Sequence, residues 1–252
     1  MAQAIDALAE LVGAEAAHRI VEFRRDMHQH PEIGMDTARA ADKIEAFLQT
    51  LPVEQVHRFA GNGVCAVIRG KKDGPMIGLR ADTDALPIQE ETSVAWKSAI
   101  DKCAHLCGHD GHTAGLLAAA TLLAQTRDFA GSVVLIFQPG EEGWAGADKL
   151  ITDGLFARYP CREVFAVHGA PSRPLGTVAV REGAMTASVD IACMTVEGRG
   201  GHGARPQETI DPMPAAAELI LALQTIVARN INPADSAVVS CCFVQAGAPL
   251  AP

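Results

Sequence analysis

Six consecutive residues, Cys107-Gly108-His109-Asp110-Gly111-His112, place a thiol and two imidazoles side by side, and the doubled carboxylate Glu141-Glu142 follows downstream. A thiolate and a neutral imidazole two positions apart are good ligands for a borderline-soft divalent ion such as zinc, and imidazole also suits nickel or manganese. Four potential ligands, His105, Cys107, His109 and His112, favour a metal centre over a buried structural cysteine beside satisfied histidines. A structural zinc site on Cys103 and Cys107 is a further reading. Adjacent carboxylates after a buried strand are costly unless something cationic compensates both. With a metal present, Glu142 can ligate while Glu141 takes a proton from water. Taken alone, the same pair reads as a solvated acidic turn.

The elements that must position these groups are legible as short apolar runs. Residues 64–68, 76–79 and 133–137 are brief, rich in β-branched residues and bounded by Gly, Asp or Pro, as buried strands are, and 164–167 reads as a further strand ending at His168. Helical spacing covers 5–29, ending before Pro31, and 36–51; the alanine- and leucine-rich stretch 113–124 has strong helix propensity. Strands alternating with helices predict an α/β fold with a mainly parallel sheet covered on both faces. Glu141-Glu142 then lies beyond the carboxyl end of one strand, Asp82 at the end of another, and His168 at the end of a third. Ligand sites of open α/β sheets occupy that edge. Four strand ends would thus deliver acidic, thiol or imidazole groups to one rim. Asp82 would orient a ligand or the catalytic water, or else merely cap a turn; His168 would be a third or fourth ligand, or a surface histidine. After Gly183 a strand at 189–196, a helix at 214–228 and a strand at 237–244 predict a smaller α+β unit. The domain boundary is expected at 184/185.

Composition excludes several classes. With a formal charge of −9, a pI near 5.4 and no basic cluster, the chain is not expected to bind nucleic acid or an anionic membrane surface. Seven irregularly spaced cysteines do not form a disulfide framework, and free thiols fit a reducing compartment. Asp6, Glu10, Glu15 and Arg19 interrupt any signal-peptide core, so a cytoplasmic location is expected.

Five segments carry a resemblance: Phe23-Arg-Arg-Asp-Met-His-Gln-His-Pro-Glu-Ile-Gly34, Leu79-Arg-Ala-Asp-Thr-Asp-Ala-Leu-Pro-Ile-Gln-Glu90, His105-Leu-Cys-Gly-His-Asp-Gly-His-Thr113, Ile136-Phe-Gln-Pro-Gly-Glu-Glu-Gly143 and Gly200-Gly-His-Gly-Ala-Arg-Pro206. In this order they resemble the M20 metallopeptidase family, in particular its amidohydrolase branch of hippurate hydrolases, indole-acetyl-amino-acid hydrolases and N-acetyl-diaminopimelate deacetylases. The resemblance implies a zinc-peptidase-like catalytic domain over 1–184 and an inserted α+β lid over 185–252 that mediates homodimerisation. It implies two divalent ions (zinc, manganese or nickel) held by Cys107, His109, Glu142 and His168, with Glu141 as general base and Asp82 as a supporting carboxylate. His202, in a glycine-rich segment otherwise read as a flexible loop, would reach the substrate and steady the oxyanion. The implied reaction is hydrolysis of an N-acyl or aryl-acyl amino acid. Family members continue further and add a metal-binding histidine near their C-terminus, so a C-terminally shortened chain is expected. The alternative function is a remnant that keeps metal binding or dimerisation without turnover. Gly140, Gln207 and Gly169-Ala170 also depart from the family pattern.

Overall fold

In a computed structural model the described residues run from 2 to 247, with side chains described from 4 onward. The chain divides into two compact units, Met1–Thr177 and Val178–Pro252.

The first unit is built on one five-stranded sheet: β1 (His57–Phe59), β2 (Gly63–Arg69), β3 (Lys72–Asp82), β4 (Ala130–Gln138) and β5 (Glu163–Ala166), in the spatial order β1-β2-β4-β3-β5. β3 runs parallel to both β4 and β5, whereas β2 is antiparallel to β1 and β4. Only β2 is therefore reversed, and the mixed, mostly parallel α/β fold expected from the sequence is present.

Period-two alternation distributes the strand side chains between two cores. Val64, Ala66 and Ile68 of β2 join Val133, Leu135 and Phe137 of β4 in one cluster with buried residues of the helices α1 (Ala2–Val12), α2 (Ala14–Gln29), α3 (Ala38–Leu48) and α4 (His109–Thr126). Cys65, Val67, Val134 and Ile136 face the other way, against Leu150 of α5 (Gly146–Thr152), Leu155 of α6 (Leu155–Arg158) and Tyr159. Both faces are covered, which is why these strands read as unbroken apolar runs.

Two expectations shift. The helix expected over 5–29 is two helices: Gly13, at φ +89°, breaks the rod between α1 and α2. The stretch 113–124 is the interior of a longer helix whose first residue is His109, so that ligand candidate sits on α4 rather than in the loop before it.

The second unit contains the helices α7 (Pro212–Leu223), capped by the Asp211 carboxylate accepting from the Met213 amide, and α8 (Thr225–Asn230). These replace the single helix expected over 214–228. The strands expected at 189–196 and 237–244 are not formed: among the described residues these segments have no ladder partner, and the unit's pairing is the isolated bridge Arg199–Ile210. Val189, Ile191, Val238 and Phe243 are exposed, so alternation there buries nothing, and a strand without a partner has no hydrogen bonds to hold it. Among the described residues no helix is long and apolar enough to cross a membrane.

Candidate metal centre

The carboxyl ends of β3, β4 and β5 share one sheet edge because these strands are parallel, with Asp82 in register with Gln138 and Arg80 with Ala166. At that edge lie Asp82, the last residue of β3, with Asp84 beyond it, Glu141 and Glu142 after β4, and His168 after β5. Three strand ends thus contribute, not four; the fourth contribution comes from the loop residue Cys107 and the N-terminus of α4.

His109 is the hub. Three overlapping sets, Cys107/His109/His168, Asp82/His109/His112 and His109/Glu141/Glu142, each hold one donor atom per residue within 4.8 Å of the others, and His109 belongs to all three. Its ring is fully buried, and Nδ1 donates to the carbonyl oxygen of Asp84 at 2.7 Å. That bond fixes the tautomer and leaves the Nε2 lone pair directed at the site. Nε2 has no hydrogen-bond partner among the described residues. Around it stand Asp82 Oδ2 at 3.7 Å, Glu142 Oε1 at 3.8 Å and Glu141 Oε2 at 3.9 Å. A buried acceptor facing three carboxylates is unfavourable as it stands, since unpaired buried polar groups cost free energy. A divalent cation resolves it, and the donor set of imidazole, thiol and carboxylate suits such an ion.

His168 is presented in the same manner. Its Nδ1 donates to the Gly169 carbonyl at 2.8 Å, while Nε2 lies 3.3 Å from Cys107 Sγ. Cys107 is pushed up to about 12, by partial burial first and then by the negative charges of Glu142, Glu141 and Asp82. Such surplus negative charge is what a cation at this position would neutralise.

His112 departs from the sequence expectation. Its Nδ1 donates to Asp82 Oδ1 at 2.7 Å and its Nε2 accepts the Gly169 amide at 2.8 Å, so both ring nitrogens are already committed. It serves as a brace between Asp82 and the residue following His168. His105 belongs to none of the ligand sets; it is buried, and burial pushes its pKa down to about 4. Cys103 is buried too and points its thiol at the Pro31 carbonyl, 3.5 Å away, and no ligand set among the described residues includes it.

Asp82 is held from several directions. Arg80 Nη1 donates to Oδ2 at 2.7 Å while its Nε donates to Gln138 Oε1 at 2.9 Å, joining the ends of β3 and β4. Thr113 of α4 donates to the Asp82 carbonyl at 2.9 Å. Burial would raise the Asp82 pKa, but the His112 hydrogen bond and the Arg80 charge outweigh it and bring it down to about 2. The carboxylate is therefore a fixed anion.

Asp84 was not singled out by sequence reasoning. Its two carboxylate oxygens accept the amide N–H groups of Glu141 and Glu142, both at 3.1 Å, while its carbonyl holds His109. Its position two residues beyond Asp82 at a strand end was the available signal, but its role runs through backbone groups of distant segments. His202 lies in the second unit, exposed, with Nδ1 accepting the Ala204 amide at 3.1 Å.

Comparison with known proteins agrees with this geometry. Residues 78–248 match the profile of peptidase family M20/M25/M40. The chain is 43% identical over 232 residues to N-acetylcysteine deacetylase of Bacillus subtilis, covering 91% of this chain and 60% of that protein. It is 42% identical over 226 residues to hippurate hydrolase of Campylobacter jejuni, covering 90% and 59%. The chain therefore spans about 60% of the length of these relatives. A solved structure from Bacillus subtilis, described as a dinuclear metal binding peptidase of the M20 family, superposes with a TM-score of 0.64 at 35% identity, over 82% of this chain and 56% of that one. With the motifs, the mostly parallel sheet and the extended profile match in agreement, this chain belongs to peptidase family M20/M25/M40.

Proposed function

We propose that the protein is a metal-dependent amidohydrolase that cleaves the amide bond of N-acyl amino acids, aryl-acyl substrates of the hippurate kind included. The observation that carries this reading is His109 Nε2, buried, without a partner and ringed by carboxylates. Relatives named for N-acetylcysteine and hippurate hydrolysis support the substrate class.

In this reading Cys107, His109, Glu142 and His168 hold two divalent ions, zinc, manganese or nickel. Bound there, such ions supply Lewis-acid polarisation of an amide carbonyl and acidify water. The chain's own residues do the rest. Glu141 is half exposed, with Oε2 beside the hub, and it removes the proton from the attacking water and later delivers it to the leaving amine nitrogen. Asp82, kept anionic by Arg80 and His112, fixes the local charge against which the ligands are set. His202, from the second unit, would donate to the developing oxyanion, a contribution worth about 3–4 kcal/mol for a well-placed donor. Residues 1–184 form the catalytic domain in this reading, and 185–252 a lid through which two copies dimerise. The seven cysteines are free, which supports a reducing, cytoplasmic setting.

The test is hydrolysis of N-acetyl- and N-benzoyl-amino acids by the purified chain loaded with zinc, manganese or nickel. Glu141→Gln should abolish turnover and leave metal content intact, whereas Glu142→Gln should lose metal. Loss of metal in Glu141→Gln would mean that the base and ligand roles are exchanged. A folded, metal-binding chain with no turnover would instead favour the remnant reading.

A further inference from the structure

The motif residues Arg24, His28, Glu90 and Asp110 have no place in the chemistry above, yet they converge in one cluster at the first turn of α4. Arg24 and His28, four apart on α2, occupy one face of that helix. Arg24 Nε donates to Asp110 Oδ2 at 3.0 Å, and His28 Nδ1 reaches the same oxygen at 3.1 Å. On the ring's other side, Nε2 reaches Glu90 Oε1 at 3.2 Å. Glu90 also accepts the Ser98 amide at 2.7 Å and the Thr92 hydroxyl. Asp110 and Glu90 are both 1% exposed.

We infer that this cluster is a positioning clamp for the metal ligands, with His28 acting as a doubly protonated cation between two buried carboxylates. This rests on the metal-centre reading given above. Carboxylates only accept hydrogen bonds, so an imidazole lodged between two of them must donate from both nitrogens. Two cations then balance two anions, which is the condition for burying such a group at tolerable cost. The accompanying shift agrees: the Asp110 hydrogen bond raises His28 against the opposing effect of burial.

The clamp acts where it matters for the site. Asp110 is the neighbour of His109 in the first turn of α4, so fixing one fixes the backbone of the other. Glu90 anchors the connection between β3 and α4, which carries Asp84 near its start and Cys107 near its end. One network thus sets both the hub imidazole and the two flanks of the connection that supply its support and its thiol partner. None of the four residues is proposed to touch metal or substrate.

The experiment measures zinc affinity by chelator competition and the visible d–d bands of the cobalt(II)-loaded chain. The variants are Asp110→Asn, His28→Gln and Glu90→Gln, with Arg39→Ala as a control. Arg39 pairs with Asp26 of α2 at 2.8 and 2.9 Å, away from the cluster's partners, so its loss reports the general effect of breaking an ion pair on this helix. Groups that orient metal ligands typically change affinity 10–100-fold. The clamp variants should therefore bind zinc about 10–100-fold more weakly, with altered cobalt bands, at retained far-ultraviolet circular dichroism. Arg39→Ala should lower the melting temperature and leave the bands unchanged. Folded clamp variants with wild-type zinc affinity and bands overturn the inference, as does a failure of all three to fold, which would assign the cluster to general stability. A wild-type chain that binds neither zinc nor cobalt overturns the metal-centre reading itself, and the clamp with it.

Discussion

The Asp84 carbonyl oxygen sits 2.7 Å from His109 Nδ1, and the Asp84 carboxylate accepts the amides of Glu141 and Glu142. One side chain and its own backbone thus align an imidazole from a helix and two carboxylates from a loop. Asp84→Ala keeps the carbonyl but strands two amides, each loss costing about 1–3 kcal/mol when the group is buried. Thermal unfolding should show a destabilisation of about 3 kcal/mol, and zinc affinity should fall with it. Asp84→Asn retains one acceptor oxygen and should fall between. An Asp84→Ala chain with unaltered melting temperature and zinc affinity would remove Asp84 from this role.

Cys107 offers a second measurement. Its thiol is pushed up to about 12 by burial and by the neighbouring carboxylates, so at neutral pH it carries its proton before metal arrives. A coordinating sulfur is a thiolate, and metal binding must then expel that proton. Calorimetric titration with zinc in buffers of differing ionisation enthalpy should report proton release that Cys107→Ser largely abolishes, together with weaker binding. Equal proton release from both chains would show that the sulfur is not a ligand.

The parts legible in the sequence are those governed by local pattern. β2 and β4 are read correctly because each is a short apolar run, buried on both faces. Asp82, Glu141, Glu142 and His168, at the carboxyl ends of β3, β4 and β5, could be placed on one rim from topology alone. What escaped depends on long-range partners. Asp84 acts through backbone amides 57 and 58 residues away, and His112, unlike His109, has both ring nitrogens engaged, which spacing does not encode. Residues 189–196 and 237–244 have strand patterning without ladder partners among the described residues, and alternation alone does not make a strand.

Stability should have a defined pH window in the chelator-treated chain. Asp82 and Asp110 each stand at about 2 in the folded state against an ordinary 3.8. In both, burial is outweighed by hydrogen bonds from a histidine and the charge of an arginine. A depressed carboxylate stabilises above its unfolded value and loses that contribution as pH falls through the folded one. Each shift corresponds to about 2 kcal/mol. His28 has the opposite sign: its folded value is raised from 6.5, so its contribution is complete below that pH and lost as pH rises through the folded value. The melting temperature should thus fall steeply between pH 4 and 2 and decline again on the alkaline side. Asp82→Asn should flatten the acid limb and His28→Gln the alkaline one. Profiles that keep their wild-type slopes in these variants would refute the assignment.

Gly108 separates Cys107 from His109 and adopts φ +94°, ψ +15°, while its carbonyl accepts the Gly111 and His112 amides to start α4. An added Cβ would meet its nearest neighbour, His112 Nε2, at 3.7 Å, an ordinary contact. Space is therefore not the obstacle; the left-handed backbone is, at about 1–2 kcal/mol for an L-residue. Gly108→Ala should lose roughly that much stability and, because relaxation of the turn would separate thiol from imidazole, should also weaken zinc binding. A D-alanine introduced there by chemical ligation prefers positive φ and fits the same space, so it should restore both properties. If the D- and L-alanine chains behave alike, backbone handedness is not what holds the two ligands together.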